Sequence, residues 1–120
     1  MTGDGWAATT LDELGDGPGF RKVRPALGIE AFGANALVFP PGHEANFHFH
    51  DRQDELYFVH RGTFTFTFGD GTEHVAGPGA LVHVAAATHR RLANRGDEEA
   101  VVLAVGGADG YVGRDGRAPD

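Results

Sequence analysis

The chain has 120 residues, room for one domain and not two. Its formal net charge of −7 argues against a nucleic-acid partner or an anionic membrane surface, and the absence of cysteine excludes disulfides, thiolate metal sites and cysteine nucleophiles. Hydrophobic residues make up 41%, and nineteen glycines separate short apolar runs with no Gly-X-Y period, the composition of a folded all-β chain rather than a disordered or collagen-like one.

Residues 1–19 are polar and glycine-rich and read as a flexible N-terminal segment. One helical turn is expected at Thr10–Leu14, where Thr10 and Glu13 stand at reciprocal capping positions. There is no basic stretch followed by an apolar run, and no apolar run nears the ~20 residues of a membrane span, so a cytoplasmic protein is the default expectation. Strands are then predicted at Phe20–Arg24, Leu27–Phe32 and Ala36–Phe39, the last stopped by Pro40-Pro41-Gly42. Phe47–His50 and Glu55–His60 follow. Thr63–Phe68 alternates strictly, placing Phe64, Phe66 and Phe68 on one face and three threonines on the other. Asp70-Gly71 marks a hairpin returning through Thr72–Val75. Ala80–Ala85, Arg91–Ala93 and Ala100–Val105 complete the set. Residues 20–105 therefore read as one antiparallel sandwich or barrel, and 106–120 as a loose C-terminal tail.

The chemistry concentrates between Gly42 and Gly62. His48 and His50 are two apart on a strand, so both imidazoles point to one face and Phe47 and Phe49 to the other. Asp51–Asp54 can turn the chain, and Glu55 then opens the next strand facing the two histidines. Two histidines and a carboxylate on adjacent strands are a facial set of metal ligands with open positions. Neutral imidazoles with a carboxylate suit iron, manganese, nickel, copper or zinc. A metal-free polar cluster is the bland alternative, and it needs a hydrogen-bond partner for each buried group. Tyr57 shares the parity of Glu55 and is expected to line the cavity as a hydrogen-bond donor to substrate or as a core residue. His60 has the opposite parity and should face away. His43 is expected at the rim and His74 on the surface.

The spacing Gly42-x5-His48-x-His50-x4-Glu55-x6-Gly62 matches the first cupin motif at every fixed position, and the chain resembles a small single-domain cupin over about Leu27 to Val105. The resemblance implies a double-stranded β-helix, or jelly-roll barrel, with one divalent metal inside and a small molecule as partner. It also implies a homodimer, in keeping with Phe47, Phe49, Leu56 and Phe58 facing out of the barrel. The second cupin motif is half present. Gly79 and Asn94 fit it, but Ala85 and Ala87 stand in place of its proline and glycine, and its histidine position falls on Arg90. His89 is the fourth ligand if the loop Ala85–Thr88 is one residue tighter than usual; otherwise water or His83 takes that position. The family includes dioxygenases, isomerases, decarboxylases, epimerases and binding proteins. The expected function is a metal-dependent dioxygenase or isomerase acting on a small oxygen-rich molecule, with Tyr57 and His83 as candidate substrate contacts, or a non-catalytic small-molecule binding or sensor module.

Overall fold

Alternation of apolar and polar residues builds the two faces of the fold. The computed structural model describes residues 1–119. It has strands β1 Thr2–Gly3, β2 Trp6–Ala7 and β3 Gly19–Lys22, one short helix α1 Val23–Leu27, then β4 Gly33–Phe39, β5 Phe49–His50, β6 Asp54–Arg61, β7 Phe64–Phe68, β8 Glu73–Ala76, β9 Leu81–Val84, β10 Arg90–Ala93, β11 Ala100–Gly107 and β12 Gly116–Arg117. Every pairing is antiparallel. A five-stranded sheet runs β3-β4-β11-β6-β9 and a three-stranded sheet runs β10-β7-β8, with the small pairs β1-β2 and β12-β5 beside them.

The two larger sheets supply the core between them: Leu37 and Phe39 from β4, Tyr57 and Val59 from β6, Phe64 and Phe66 from β7, and Leu92 from β10. Rings meet across the sheets edge to face, Phe39 on Phe64 at 5.4 Å and Tyr57 on Phe66 at 5.2 Å, the geometry that aromatic quadrupoles favour. The alternation of Phe64 and Phe66 thus does what the sequence predicts. Thr65 and Thr67 on the opposite face are buried too, and Thr67 donates to the Glu73 carboxylate. The Asp70-Gly71 hairpin forms as expected. Gly71 takes φ 87°, and the Asp70 carboxylate accepts the Thr72 N–H at 2.9 Å.

The predicted strand at Leu27–Phe32 does not form. The chain instead coils through Val23–Leu27 and closes on Gly28, at φ 67°, with Ile29 N–H bonded to the Arg24 carbonyl. Turn chemistry overrides the apolar run there. Pro25 lies in the first helical turn, where its missing N–H costs nothing, and Gly28 supplies the left-handed cap. At the N-terminus, Thr2–Ala7 form a hairpin, and the Thr10 hydroxyl accepts the Glu13 N–H as the capping pattern requires. The tail read as loose is tied to the barrel in two places: Gly116–Arg117 pair with Phe49–His50, and Asp115 is buried.

Gly62 ends β6 with φ 71°, and a Cβ added there would stand 2.6 Å from Ala100 Cα. Both the backbone region and the close approach of β11 demand glycine. Gly62→Ala is expected to lower stability by about 2 kcal/mol or more, read by urea unfolding. A loss below about 1 kcal/mol would mean that β11 does not constrain this turn.

Candidate metal centre

β5 is short, but it is anchored on both sides. His48 exchanges backbone hydrogen bonds with Arg90 at 2.9 Å each way, and β12 pairs with Phe49–His50. The turn after it is pinned by one buried carboxylate: Asp115 Oδ2 accepts the N–H groups of Arg52 at 2.9 Å and Gln53 at 2.8 Å. Burial alone would raise the Asp115 carboxyl, but those two N–H bonds hold it below the usual range. Glu55 then enters β6 facing back at the histidines. His50 Nε2 stands 3.0 Å and His48 Nε2 3.7 Å from Glu55 Oε1, and the three donor atoms lie within 4.8 Å of one another.

These separations suit a metal ion. Ligand atoms about 2.1 Å from one ion stand about 3.0 Å apart at right angles and about 3.4 Å apart at the tetrahedral angle. The two histidine–carboxylate separations lie within a few tenths of an ångström of that range. Gln53 and Asp115 sit behind His50, with its Nδ1 3.3 Å from Gln53 Nε2 and 3.7 Å from Asp115 Oδ2, where outer groups orient a ligating imidazole.

Two further groups reach the same carboxylate. Tyr57 OH donates to Glu55 Oε1 at 2.7 Å, and Arg90 Nη2 donates to it at 2.6 Å. Burial alone would raise the Glu55 carboxyl. The contacts from His48, His50 and Tyr57 outweigh it, holding the group well below the usual carboxylate range. Burial, then the Glu55 charge, push the Tyr57 hydroxyl above its ordinary value, so it remains a donor. Oε1 collects all four contacts and Oε2 takes none of them, which leaves the carboxylate a second donor atom.

His48, His50, Glu55 and Tyr57 are therefore brought together as the sequence predicts, on a cavity of 510 Å³ also lined by Asn35, His43, Asn46 and Leu92. His89 is not. Its ring stacks on Phe49, 4.6 Å away and nearly parallel, on the outer side of the barrel. The Ala85–Thr88 loop is not a residue tighter, so strand parity puts Arg90 inward instead. His83 is exposed on β9 beside Asp54, 3.4 Å away, and does not line the cavity. His60 is exposed and faces away, His74 is on the surface, and His43 lies at the rim with its ring edge-on to Phe39. Three residues of the site were not anticipated. Arg90 fell on the histidine position of the degraded motif, which was the available signal. Gln53 and Asp115 gave none.

A family model described as a cupin domain matches residues 36–106. Solved structures similar to the chain include a sugar phosphate isomerase from a cupin superfamily of Silicibacter pomeroyi, with 26% identity, TM-score 0.72, and 83% of this chain and 74% of that one covered. An uncharacterised conserved protein with a double-stranded β-helix domain from Klebsiella pneumoniae has 18% identity and TM-score 0.78, covering 94% and 96%. A predicted oxalate decarboxylase from Thermotoga maritima has 22% identity and TM-score 0.58, covering 62% and 64%. The latter two likenesses are of fold. No curated protein matches the chain.

Arg90 is fully buried, and the Glu55 side chain is 13% exposed. Removing one partner of such a pair leaves the other charge uncompensated. Arg90→Met is expected to destabilise the fold by about 3–5 kcal/mol in chemical denaturation. Adding Glu55→Gln to it should restore part of that loss; strict additivity of the two single effects would show that the pair is not coupled.

Proposed function

The chain belongs to the cupin-domain family, and from that premise we propose that it holds one divalent transition metal, iron, manganese, nickel, copper or zinc, through His48, His50 and Glu55, and acts as a metal-dependent dioxygenase or isomerase on a small oxygen-rich molecule. The observation that carries this reading is the convergence of three donor atoms, at metal-ligand separations, on the wall of a 510 Å³ cavity. A bound ion would supply Lewis-acid or O₂-binding chemistry there. Tyr57 keeps its proton and presents a hydroxyl beside the ligand carboxylate. Arg90, buried and outside the cavity lining, balances the Glu55 charge at that same oxygen, Oε1. We take the barrel proper as residues 20–105, overrun by β3 at Gly19 and by β11 to Gly107, with the remaining residues as flanking segments. None of the helices among the described residues is long and apolar enough to cross a membrane, and a cytoplasmic location is part of the proposal.

One observation favours the second reading, a non-catalytic binding or sensor module. A guanidinium occupies the strand position where the family motif has its histidine. Turnover of an oxygenatable substrate supports the enzyme; saturable ligand binding without turnover supports the module.

The outer face bears on assembly. Arg91 covers Phe47 at 4.6 Å and His89 covers Phe49, whereas Leu56 and Phe58 stay 44% and 39% exposed, with Leu81 beside Phe58 at 65%. We propose a homodimer through this patch. Light scattering should then give about 25 kDa, twice the 12.7 kDa of one chain; a monomer mass at micromolar concentration would overturn it.

The metal is tested by elemental mass spectrometry on untagged protein prepared without chelator. Near-stoichiometric metal is expected, and its loss from a His48→Ala, Glu55→Ala variant with unchanged circular dichroism. No metal in either protein, even after anaerobic reconstitution, would leave a metal-free binding domain.

A further inference from the structure

A second cavity, of 470 Å³, abuts the first. Asn35, His50, Gln53 and Glu55 line both. His48 lines only the first, and Asp115, by the Nδ1 side of His50, lines only the second. The second cavity is also lined by Lys22, Arg24 and Arg114.

The distribution of partners makes these three cations unusual. Carboxylate side chains outnumber lysine and arginine 17 to 10, so ion-pair partners are plentiful. Six of the ten cations, Arg21, Arg61, Arg90, Arg91, Arg95 and Arg117, stand by a carboxylate. Among the described residues the other four are Lys22, Arg24, Arg52 and Arg114, and three of those four line this one cavity. Neither carboxylate in its wall, Glu55 or Asp115, forms an ion pair with these three cations. Glu55 is bonded to Arg90 and Tyr57, and Asp115 to two backbone N–H groups. Arg24 is also held in place: its guanidinium lies 3.9 Å over the Tyr111 ring and donates to the Ile29 carbonyl. A pre-oriented guanidinium with two cations beside it is an oxyanion receptor.

We propose that this cavity binds the phosphate of a small phosphate monoester. A carboxylate offers one charge and two oxygens. A phosphate monoester carries about −1.5 to −2 near neutral pH with three terminal oxygens, the better match to three cations. The cavity volume suits a small molecule and not a polymer. Asn35 and Gln53 supply amide groups for the rest of the ligand. Because Glu55 faces both cavities, an ester held here lies against the metal-ligand carboxylate, and in that respect the assignment rests on the function proposed above.

The test uses the full chain after chelator treatment, so that its outcome does not depend on the metal. Glycerol phosphate, succinate and glycerol are titrated in turn and followed by amide chemical shifts. Glycerol phosphate should give saturable shifts around Lys22, Arg24 and Arg114 that weaken with added salt; glycerol should give none and succinate weaker ones. Lys22→Gln with Arg114→Gln, both on exposed side chains, should weaken glycerol phosphate about tenfold or more while the remaining spectrum is unchanged. Three results would overturn the assignment: no saturable shift with glycerol phosphate, succinate binding as tightly, or full affinity in the double variant. Failure of the metal reading would appear separately, as absent metal in protein that still binds glycerol phosphate.

Discussion

The contact between Arg90 and Glu55 organises the centre of the barrel. A guanidinium with no solvent exposure must find partners for all its donors. Every nitrogen of Arg90 has at least one: Nη2 with Glu55, Nε with Tyr57 OH at 3.5 Å, and Nη1 with the carbonyls of Ala85, Ala86 and Thr88. One side chain thus ties β6 to the loop between β9 and β10. It also explains why that loop cannot shorten to swing His89 inward: its carbonyls are turned onto the guanidinium. His89 is left to pack on Phe49 outside. A fourth histidine and the arginine are alternative occupants of one inward position, and this sequence takes the arginine.

The site is assembled from segments that no local pattern joins. His48, His50 and Glu55 come from one turn and its flanking strands. Arg90 comes from the other sheet, and Asp115 from beyond the last barrel strand. Asp115 is needed because the 51–53 turn has N–H groups to satisfy away from water, and a buried carboxylate is a strong acceptor for two of them. Gln53 extends the same logic. Its amide Nε2 faces His50 Nδ1, while its Oε1 is buried with no partner. A half-turn of the amide pairs Gln53 Oε1 with a His50 Nδ1–H and leaves the lone pair of His50 Nε2 directed at Glu55, the tautomer a metal ligand requires.

What the sequence disclosed follows from the range of each signal. The parity of His48 and His50, the parity of Tyr57 with Glu55 and against His60, and the alternation of Phe64 and Phe66 depend only on the two-residue period of a strand, and all appear in the fold. At Leu27–Phe32 a short apolar run misled, because Pro25 and Gly28 carry helix-end chemistry that outweighs it. The last glycine of the first motif, Gly62, answers both to its own φ of 71° and to Ala100 pressing on it from 38 residues away. Asp115 lies 62 residues from the Gln53 N–H it holds, in a glycine-rich stretch with no periodicity to read. Long-range satisfaction of buried groups leaves no local trace in a sequence.

Charge connects the two cavities. The net charge of −7 suggests a surface that repels anions, yet fields between exposed charges fade beyond about 8 Å at physiological salt. An approaching anion therefore meets the local arrangement. At the metal-ligand cluster, Arg90 cancels Glu55, so a divalent ion there would keep its full double charge. At the neighbouring cavity, none of Lys22, Arg24 and Arg114 forms an ion pair among the described residues, and the three outnumber Asp115, whose Oδ2 accepts two backbone N–H bonds. Both regions share His50, Gln53 and Glu55 in their walls. A neutral sugar or an apolar ligand would gain nothing from such a wall. A small anion with oxygen donors along its length would gain at both ends, and this requirement narrows the ligand further than the fold alone can.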